Sequence, residues 1–160
     1  MKKIVSYMMT GILLLSFLLT GCGSPEPQTG KKMSMYYINT AETKVEVHEQ
    51  YLNTKTLDEQ LDETMRYLST TPEKLEYKAP LDMGFHVLDY EVEDGKLLIN
   101  VDKAYSELSP TTEVLVRAAI VRTLTQLPNV KYVGITVEDS QLYDNAGEMV
   151  GWMNADQFIN

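Results

Sequence analysis

The chain contains one cysteine, Cys22, which follows a short apolar run that opens after two lysines. Met1-Lys2-Lys3 is positively charged and residues 4–19 are mostly apolar. This is the pattern of a secretory signal peptide rather than part of a folded core. With a single cysteine, no disulfide can form within the chain and no cysteine cluster can bind a metal. The segment after Cys22 must therefore fold without covalent cross-links.

The tetrapeptide Leu19-Thr20-Gly21-Cys22 resembles the lipobox of bacterial lipoproteins. In that class the cysteine thiol carries a diacylglyceryl group, with palmitate among its acyl chains, and the signal is cut before the cysteine. Two or three acyl chains bind a membrane firmly, whereas one binds only marginally. The resemblance implies that Cys22 is a lipidation site and that the protein is anchored to the extracytoplasmic face of the cell membrane. The alternative is an uncleaved anchor, since residues 4–20 approach the shortest length that spans a bilayer.

These patterns predict three parts of the chain. Residues 1–21 are the signal peptide, residues 22–34 are the lipidated cysteine and a flexible linker, and residues 35–160 are one domain. Cleavage leaves 139 residues (160 minus 21), a length that suits a single domain. The signal removes Lys2 and Lys3 but no acids, so the net charge changes from −9 to −11. Such a negative charge disfavours nucleic acid and anionic lipid surfaces as partners.

Local patterns predict the first half of the domain. Residues 35–39 and 44–50 are expected to be strands, with Val45 and Val47 on the apolar face and His48 on the polar face. Thr56 and Glu59 form a capping box that predicts the start of an amphipathic helix. Two later strands, residues 85–91 and 96–102, flank an Asp-Gly turn that strongly favours a hairpin.

A second helix is predicted from Ser109 to about Gln126, with serine as N-cap and proline in the first helical position. Its wide apolar stripe, which includes Val114, indicates a central packing helix. Residues 130–137 are expected to form another strand. The order β-β-α-β-β-α-β predicts an α/β two-layer sandwich in which a mixed sheet carries two helices on one face.

The run VLDYEVEDGKLLINVDKAYSEL, followed by a long apolar helix that ends TLTQLPNVKYVGITVED, resembles the GerMN domain of sporulation and spore-germination proteins. Its most specific elements are the hairpin turn at Asp94-Gly95, the motif Ile99-Asn100-Val101-Asp102, and the exit from the second helix. The resemblance implies an α/β sandwich similar to the ring-building modules of envelope-spanning assemblies. It also implies a lipoprotein without catalytic residues.

Residues that could carry catalysis are few. His48 and His86 are interpreted as surface or edge histidines, and neither lies in a zinc-binding spacing. The carboxylate pairs Asp58-Glu59 and Glu91-Glu93 are assigned to a helix start and to the flanks of a turn. Residues 144–148 have a calcium-loop composition without its spacing, so a polar turn is expected. No enzyme activity, cofactor or metal is predicted.

Two binding hypotheses follow, with a third as contrast. The first is a lipoprotein whose domain binds another envelope protein in a sporulation, germination or cell-envelope assembly. The second is recognition of peptidoglycan or another cell-wall ligand, which the many tyrosines favour. Trp152, the only tryptophan, is expected to cover the core. An envelope hydrolase acting through paired carboxylates is the third.

Overall fold

The computed structural model describes residues 30–71, 76–144 and 146–158, and the strands in these ranges form two sheets. The first sheet is antiparallel, with the order β2-β1-β3, and consists of β1 (Lys31–Asn39), β2 (Val45–Leu52) and β3 (Tyr77–Lys78). The second sheet has the order β4-β5-β6-β7 and consists of β4 (Val87–Glu93), β5 (Lys96–Val101), β6 (Tyr132–Val137) and β7 (Ser140–Gln141).

The hairpin between β4 and β5 is confirmed. Asp94 and Gly95 both have positive φ, 49° and 80°, as a tight two-residue turn between twisted antiparallel strands requires. In contrast, β5 and β6 are parallel and therefore need a crossover connection. That connection contains helix α2 (Pro110–Leu124), which the sequence also predicted.

Helix α1 (Leu57–Leu68) begins with the predicted capping box. The Thr56 hydroxyl accepts the backbone N–H of Glu59, and the Glu59 carboxylate accepts the backbone N–H of Thr56. Each end of this motif satisfies a donor that the first helical turn leaves without an intrahelical partner. Two short 3-10 helices, Lys103–Glu107 and Ala155–Phe158, complete the described elements.

Helix α2 is the central element of the core. Ser109 caps it and Pro110 occupies its first position, as predicted. It contacts β1 of the first sheet and β6 of the second, so its buried residues lie on several sides rather than on one stripe. Val114, which the sequence placed in the apolar stripe, is one of the exposed apolar residues. Both helices contact β1.

The predicted α/β class with two packed helices is confirmed, but the strands are divided between two sheets instead of forming one. The division arises because β1 pairs with β2 and β3, whereas β5 pairs with β4 and β6. The domain also begins earlier than predicted. Residues 31–34, assigned to the linker by their lysine and serine content, belong to β1, where the Met33 side chain is buried in the core.

Among the described residues, no helix combines the length and the apolar character needed to cross a bilayer. The predicted signal peptide, Cys22 and the linker residues before Gly30 lie outside the described residues.

Candidate interaction surface on the second sheet

The two histidines lie in different parts of the fold. His86 precedes β4 and is exposed, with Nδ1 2.9 Å from Asp102 Oδ2, and this hydrogen bond lowers the pKa of the Asp102 carboxyl group. His48 lies on β2 opposite Met35 and is half-buried, whereas its neighbour Val47 is 54% exposed. The predicted assignment of the two faces of β2 was therefore wrong at Val47. The structure does not bring the two imidazoles together.

The carboxylate pairs occupy the positions predicted for them. Glu59 belongs to the capping box, and hydrogen bonds from the Thr56 and Lys55 backbone lower its pKa. Glu91 and Glu93 are exposed on β4 beside the hairpin turn. Asp144 Oδ1 accepts two backbone N–H groups at 2.9 Å within its polar turn. In residues 30–71, 76–144 and 146–158, no cluster of histidine, cysteine and acidic side chains could hold a metal ion.

The outer face of the second sheet is the candidate functional surface. Successive residues of a strand point to opposite sides of a sheet, so the burial of Ile99 and Ile135 in the core leaves Leu98 and Gly134 on the outer side. Leu98 pairs directly with Gly134 across the parallel strands. The segment of residues 149–153 lies along the edge of this face, with Met153 in an isolated antiparallel bridge with Val133 of β6.

Trp152 lies directly over Gly134. A Cβ atom added at Gly134 would stand 2.8 Å from Trp152 Cζ3 and 3.2 Å from Leu98 Cδ1, so only glycine allows this approach. Two backbone hydrogen bonds of 2.8 and 2.9 Å between Val133 and Met153 hold the segment against β6. The Lys96 ammonium lies over the indole ring, 5.3 Å from its centre.

An open groove of about 300 Å³ runs beside the indole. Leu98, Gly134 and Val150 contribute to its lining, with Met149 and Trp152 along it. The Met149 side chain is 62% exposed and Trp152 is 43% exposed, and Tyr132, 40% exposed, lies on the same face of β6. Large apolar side chains that are exposed together mark interaction sites more often than single exposed ones do.

Acidic side chains form a row beside the groove. Asp89, Glu91 and Glu93 alternate along β4 and pair across the hairpin with Asn100, Leu98 and Lys96, respectively. All three acids are exposed. Among the described residues, none of these carboxylates forms a salt bridge. The surface therefore combines an apolar groove with a negatively charged border.

Asn100 fixes one end of this surface and is only 4% exposed. Its Nδ2 donates to Asp89 Oδ2 at 3.0 Å and to Asp139 Oδ1 at 2.8 Å. Its Oδ1 accepts from the Asp139 backbone N–H at 3.0 Å and from Thr136 Oγ1 at 3.3 Å. One neutral amide thus holds two carboxylates close together. It also supports the turn at Glu138 and Asp139, both of which have positive φ.

The sequence predicts parts of this surface but not their arrangement. It placed Tyr132, Gly134 and Thr136 on one face of a strand, which the burial of the alternate residues confirms. It expected Trp152 to cover the core, whereas the indole covers the opposite face of β6 and remains partly exposed. The available signal was the small residue Gly134 in the middle of a strand, since glycine in a strand often marks a close approach.

We expect Gly134→Ala to displace the indole, because the new methyl group meets Trp152 and Leu98 inside contact distance. Overpacking of this kind costs about 1–3 kcal/mol of unfolding free energy. Since Trp152 is the only tryptophan, its emission spectrum should shift to the red as the ring becomes more hydrated. The matched control is Gly151→Ala, where an added Cβ meets no atom within 4 Å. Equal spectra for the two variants would contradict this packing.

Comparisons with known proteins place the chain in a family. The first GerMN domain of the sporulation protein GerM from Bacillus subtilis matches with a TM-score of 0.60 and 14% identity, over 79% of this chain and 98% of that one. The tandem GerMN domains of the same protein match with a TM-score of 0.55 and 18% identity, over 84% of this chain and 49% of that one.

A putative lipoprotein from Clostridium perfringens matches with a TM-score of 0.53 and 17% identity, over 84% of this chain and 95% of that one. At such identities these structures establish the fold alone. No curated protein matches the sequence. The model of the Germane family, described as "Sporulation and spore germination", matches residues 34–143. This chain therefore belongs to the Germane family.

Proposed function

We propose that this protein is a membrane-anchored, non-enzymatic lipoprotein whose GerMN-like domain binds another protein of the cell envelope. The setting is a sporulation, germination or envelope assembly, in keeping with the family. The observation that carries the proposal is the uncovered groove beside Trp152 on the outer face of the second sheet. An indole and a methionine side chain that are exposed side by side form an apolar patch of the kind that marks interaction sites.

The chemistry of the groove favours binding over catalysis. Its polar side chains are Thr136 and Gln141, neither of which exchanges a proton near neutral pH. Gln141 Nε2 already donates to the Val150 carbonyl at 3.1 Å and so supports the wall of the groove. General acid–base catalysis requires a titratable group within hydrogen-bond reach of the substrate. The lining supplies shape and apolar contact instead.

The location of the protein is tested at Cys22, the proposed lipidation site. Cells that express the full chain are fed an alkyne-tagged fatty acid, and the tag is detected on the protein after electrophoresis. We expect strong labelling of the native chain and complete loss of label in Cys22→Ala and Cys22→Ser, because only a thiol forms the thioether. Fractionation should place the native chain with the membranes. An unlabelled native chain in that fraction would favour the uncleaved anchor.

The partner is tested by photocrosslinking in intact cells. A photoreactive amino acid replaces Met149 beside the groove or, as a control, Val47 on the first sheet, which is similarly exposed. Irradiation should give a specific heteromeric adduct from position 149 and none from position 47. Cells are sampled during growth and, where the source organism forms spores, during sporulation. Recovery of the chain without any crosslinked partner from both positions would refute the proposed function.

A wall ligand remains the second candidate, favoured by the partly exposed Trp152 ring. The Lys96 ammonium over that ring competes with a sugar for the aromatic surface, which makes this candidate the weaker one. Co-sedimentation of the native chain with purified peptidoglycan separates the two. If the native chain sediments with peptidoglycan and Met149→Glu abolishes this sedimentation, the groove binds a wall ligand instead of a protein.

A further inference from the structure

The row of acids on β4 gives the candidate surface a definite charge pattern. Pairing across strands places Glu91 beside Leu98, and Leu98 beside Gly134, in one line across the sheet. Neighbouring strands lie about 4.8 Å apart, so the backbone of Glu91 stands about 5 Å from that of Leu98 and about 10 Å from that of Gly134, both in the groove lining. A single bound segment can therefore contact both features at once.

The positive charges on this face are few and engaged elsewhere. Lys96 pairs in register with Glu93, but its ammonium group lies over the Trp152 ring and forms no salt bridge with a described acid. Asp89 is bound by the amide of Asn100, which is neutral. The negative charge of β4 is thus left without a cation from the described part of the chain.

A second copy of the chain is a poor occupant of this face. Of the strands that the structure describes, β5 is the one that pairs with β4, so the other edge of β4 carries no described strand. Acids on an edge strand oppose pairing with an identical strand, since like charges would then face one another. The full sequence carries a net charge of −9, which adds repulsion between copies.

Building on the proposed function, we infer that the partner presents a cationic segment with an apolar anchor. One large apolar side chain fills the groove between Leu98, Met149 and Trp152, and flanking lysine or arginine side chains contact Glu91 and Glu93. The apolar anchor contributes affinity through burial. The charges increase the association rate and exclude acidic competitors.

The test uses the full chain purified in a nonionic detergent and three short synthetic peptides without tryptophan. The first has two central leucines flanked by lysines, the second has glutamates in place of the lysines, and the third has serines in place of the leucines. Emission of Trp152, the only tryptophan, reports binding in the groove. We expect a saturable blue shift with the lysine–leucine peptide and at least about tenfold weaker binding of the other two, a factor that corresponds to 1.4 kcal/mol.

Charge reversal on the protein provides the matched comparison. Glu91→Lys combined with Glu93→Lys should weaken the lysine–leucine peptide at least about tenfold and improve binding of the glutamate peptide. The control pair, Glu46→Lys with Glu49→Lys, changes the net charge equally on β2 of the other sheet. It should leave both affinities nearly unchanged. Added salt should weaken the native interaction, because exposed charges are screened.

The inference is wrong if the glutamate peptide binds the native chain as tightly, or if both charge-reversed pairs weaken the lysine peptide to the same extent. It is also wrong if sedimentation shows a dimer that Glu91→Lys strengthens, since the face would then be a contact between copies. These results leave the proposed function standing as long as crosslinking at position 149 recovers a partner. Absence of that crosslinked adduct would refute the proposed function itself.

Discussion

Replacing Asn100 with aspartate is expected to lower the free energy of unfolding by about 3–5 kcal/mol at neutral pH, the range for an uncompensated buried charge. The Asn100 amide nitrogen donates to Asp89 and Asp139 at 3.0 and 2.8 Å. In the variant a third carboxylate takes the place of this donor. Three negative charges then meet in a site where position 100 is buried.

This loss should depend on pH in a known direction. Burial and two neighbouring carboxylates both favour the protonated form of the new aspartic acid, so its folded-state pKa lies above its unfolded value of about 3.9. The stability of Asn100→Asp relative to the native chain is therefore lost as pH rises from the unfolded-state pKa through the folded-state pKa, and it is recovered as pH falls. Urea unfolding of both proteins at about pH 7 and about pH 5 measures the difference, which should shrink at the lower pH.

Two further variants separate charge from packing at this site. Asn100→Leu removes the same hydrogen bonds without adding charge, so its deficit should change little over the same pH range. Combining Asn100→Asp with Asp139→Asn restores a donor opposite the new carboxylate and should recover about 1 kcal/mol or more. If Asn100→Asp and Asn100→Leu show the same pH dependence, the loss of stability in Asn100→Asp does not come from a new charge beside Asp89 and Asp139.

The elements that the sequence predicted well are those with local signals. The hairpin depends on Asp94-Gly95, two adjacent residues with positive φ, and both helices carry their caps within four residues. Such signals can be recognised in the sequence without knowledge of the rest of the fold. The family resemblance implied the α/β sandwich, but neither it nor the order of strands and helices predicted the division into two sheets.

The features that the sequence did not reveal depend on contacts between distant residues. Nothing local to residues 31–34 predicts a strand, because their backbone partners lie on β2 and in the turn that follows α2. The position of Trp152 depends on Gly134, 18 positions away, and on the hydrogen bonds that join Met153 to Val133. Asn100 was singled out as part of a motif, yet its role required the location of Asp89 and Asp139. The interaction surface is made of such contacts.

Removing the side chains of Thr123, in the last turn of α2, and of Gln126, just after the helix, is expected to open the free edge of β1. β3 pairs with β1 at Ile38 and Asn39, and in the described ranges no other strand pairs with the earlier part of that edge. Side chains of α2 and of the turn that follows it take the place of a strand. Thr123 Oγ1 accepts the Tyr36 backbone N–H at 3.1 Å.

Gln126 completes the cover with both ends of its amide. Oε1 accepts the Ser34 N–H at 3.0 Å, and Nε2 donates to the Ser34 carbonyl at 2.7 Å. Thr123 of α2 and Gln126 of the following turn thus satisfy Tyr36 and Ser34, alternate residues of β1, as a neighbouring strand would. Edge groups that are covered in this way are not available for pairing with other chains.

The variant that carries Thr123→Val and Gln126→Leu should lose about 3 kcal/mol of unfolding free energy, because it leaves three partly buried backbone groups of Ser34 and Tyr36 without their partners and each costs about 1 kcal/mol or more. Urea unfolding measures the loss, and amide hydrogen exchange at Ser34 and Tyr36 should accelerate even under native conditions. Thr125→Val is the control. The Thr125 hydroxyl donates within the helix, to the Val121 carbonyl at 2.7 Å, so its removal should cost less than about 0.5 kcal/mol.

Self-association is the second consequence, since an uncovered strand edge pairs readily with other chains. Light scattering should detect oligomers of the double variant and a monodisperse control, whereas unchanged amide protection at Ser34 and Tyr36 would show that the helix does not cover the edge. β1 begins nine positions after Cys22, the proposed lipid anchor. The hydrogen bonds from Thr123 and Gln126 therefore join β1 to the C-terminal end of the central helix, and weakening them should loosen the first strand of the domain.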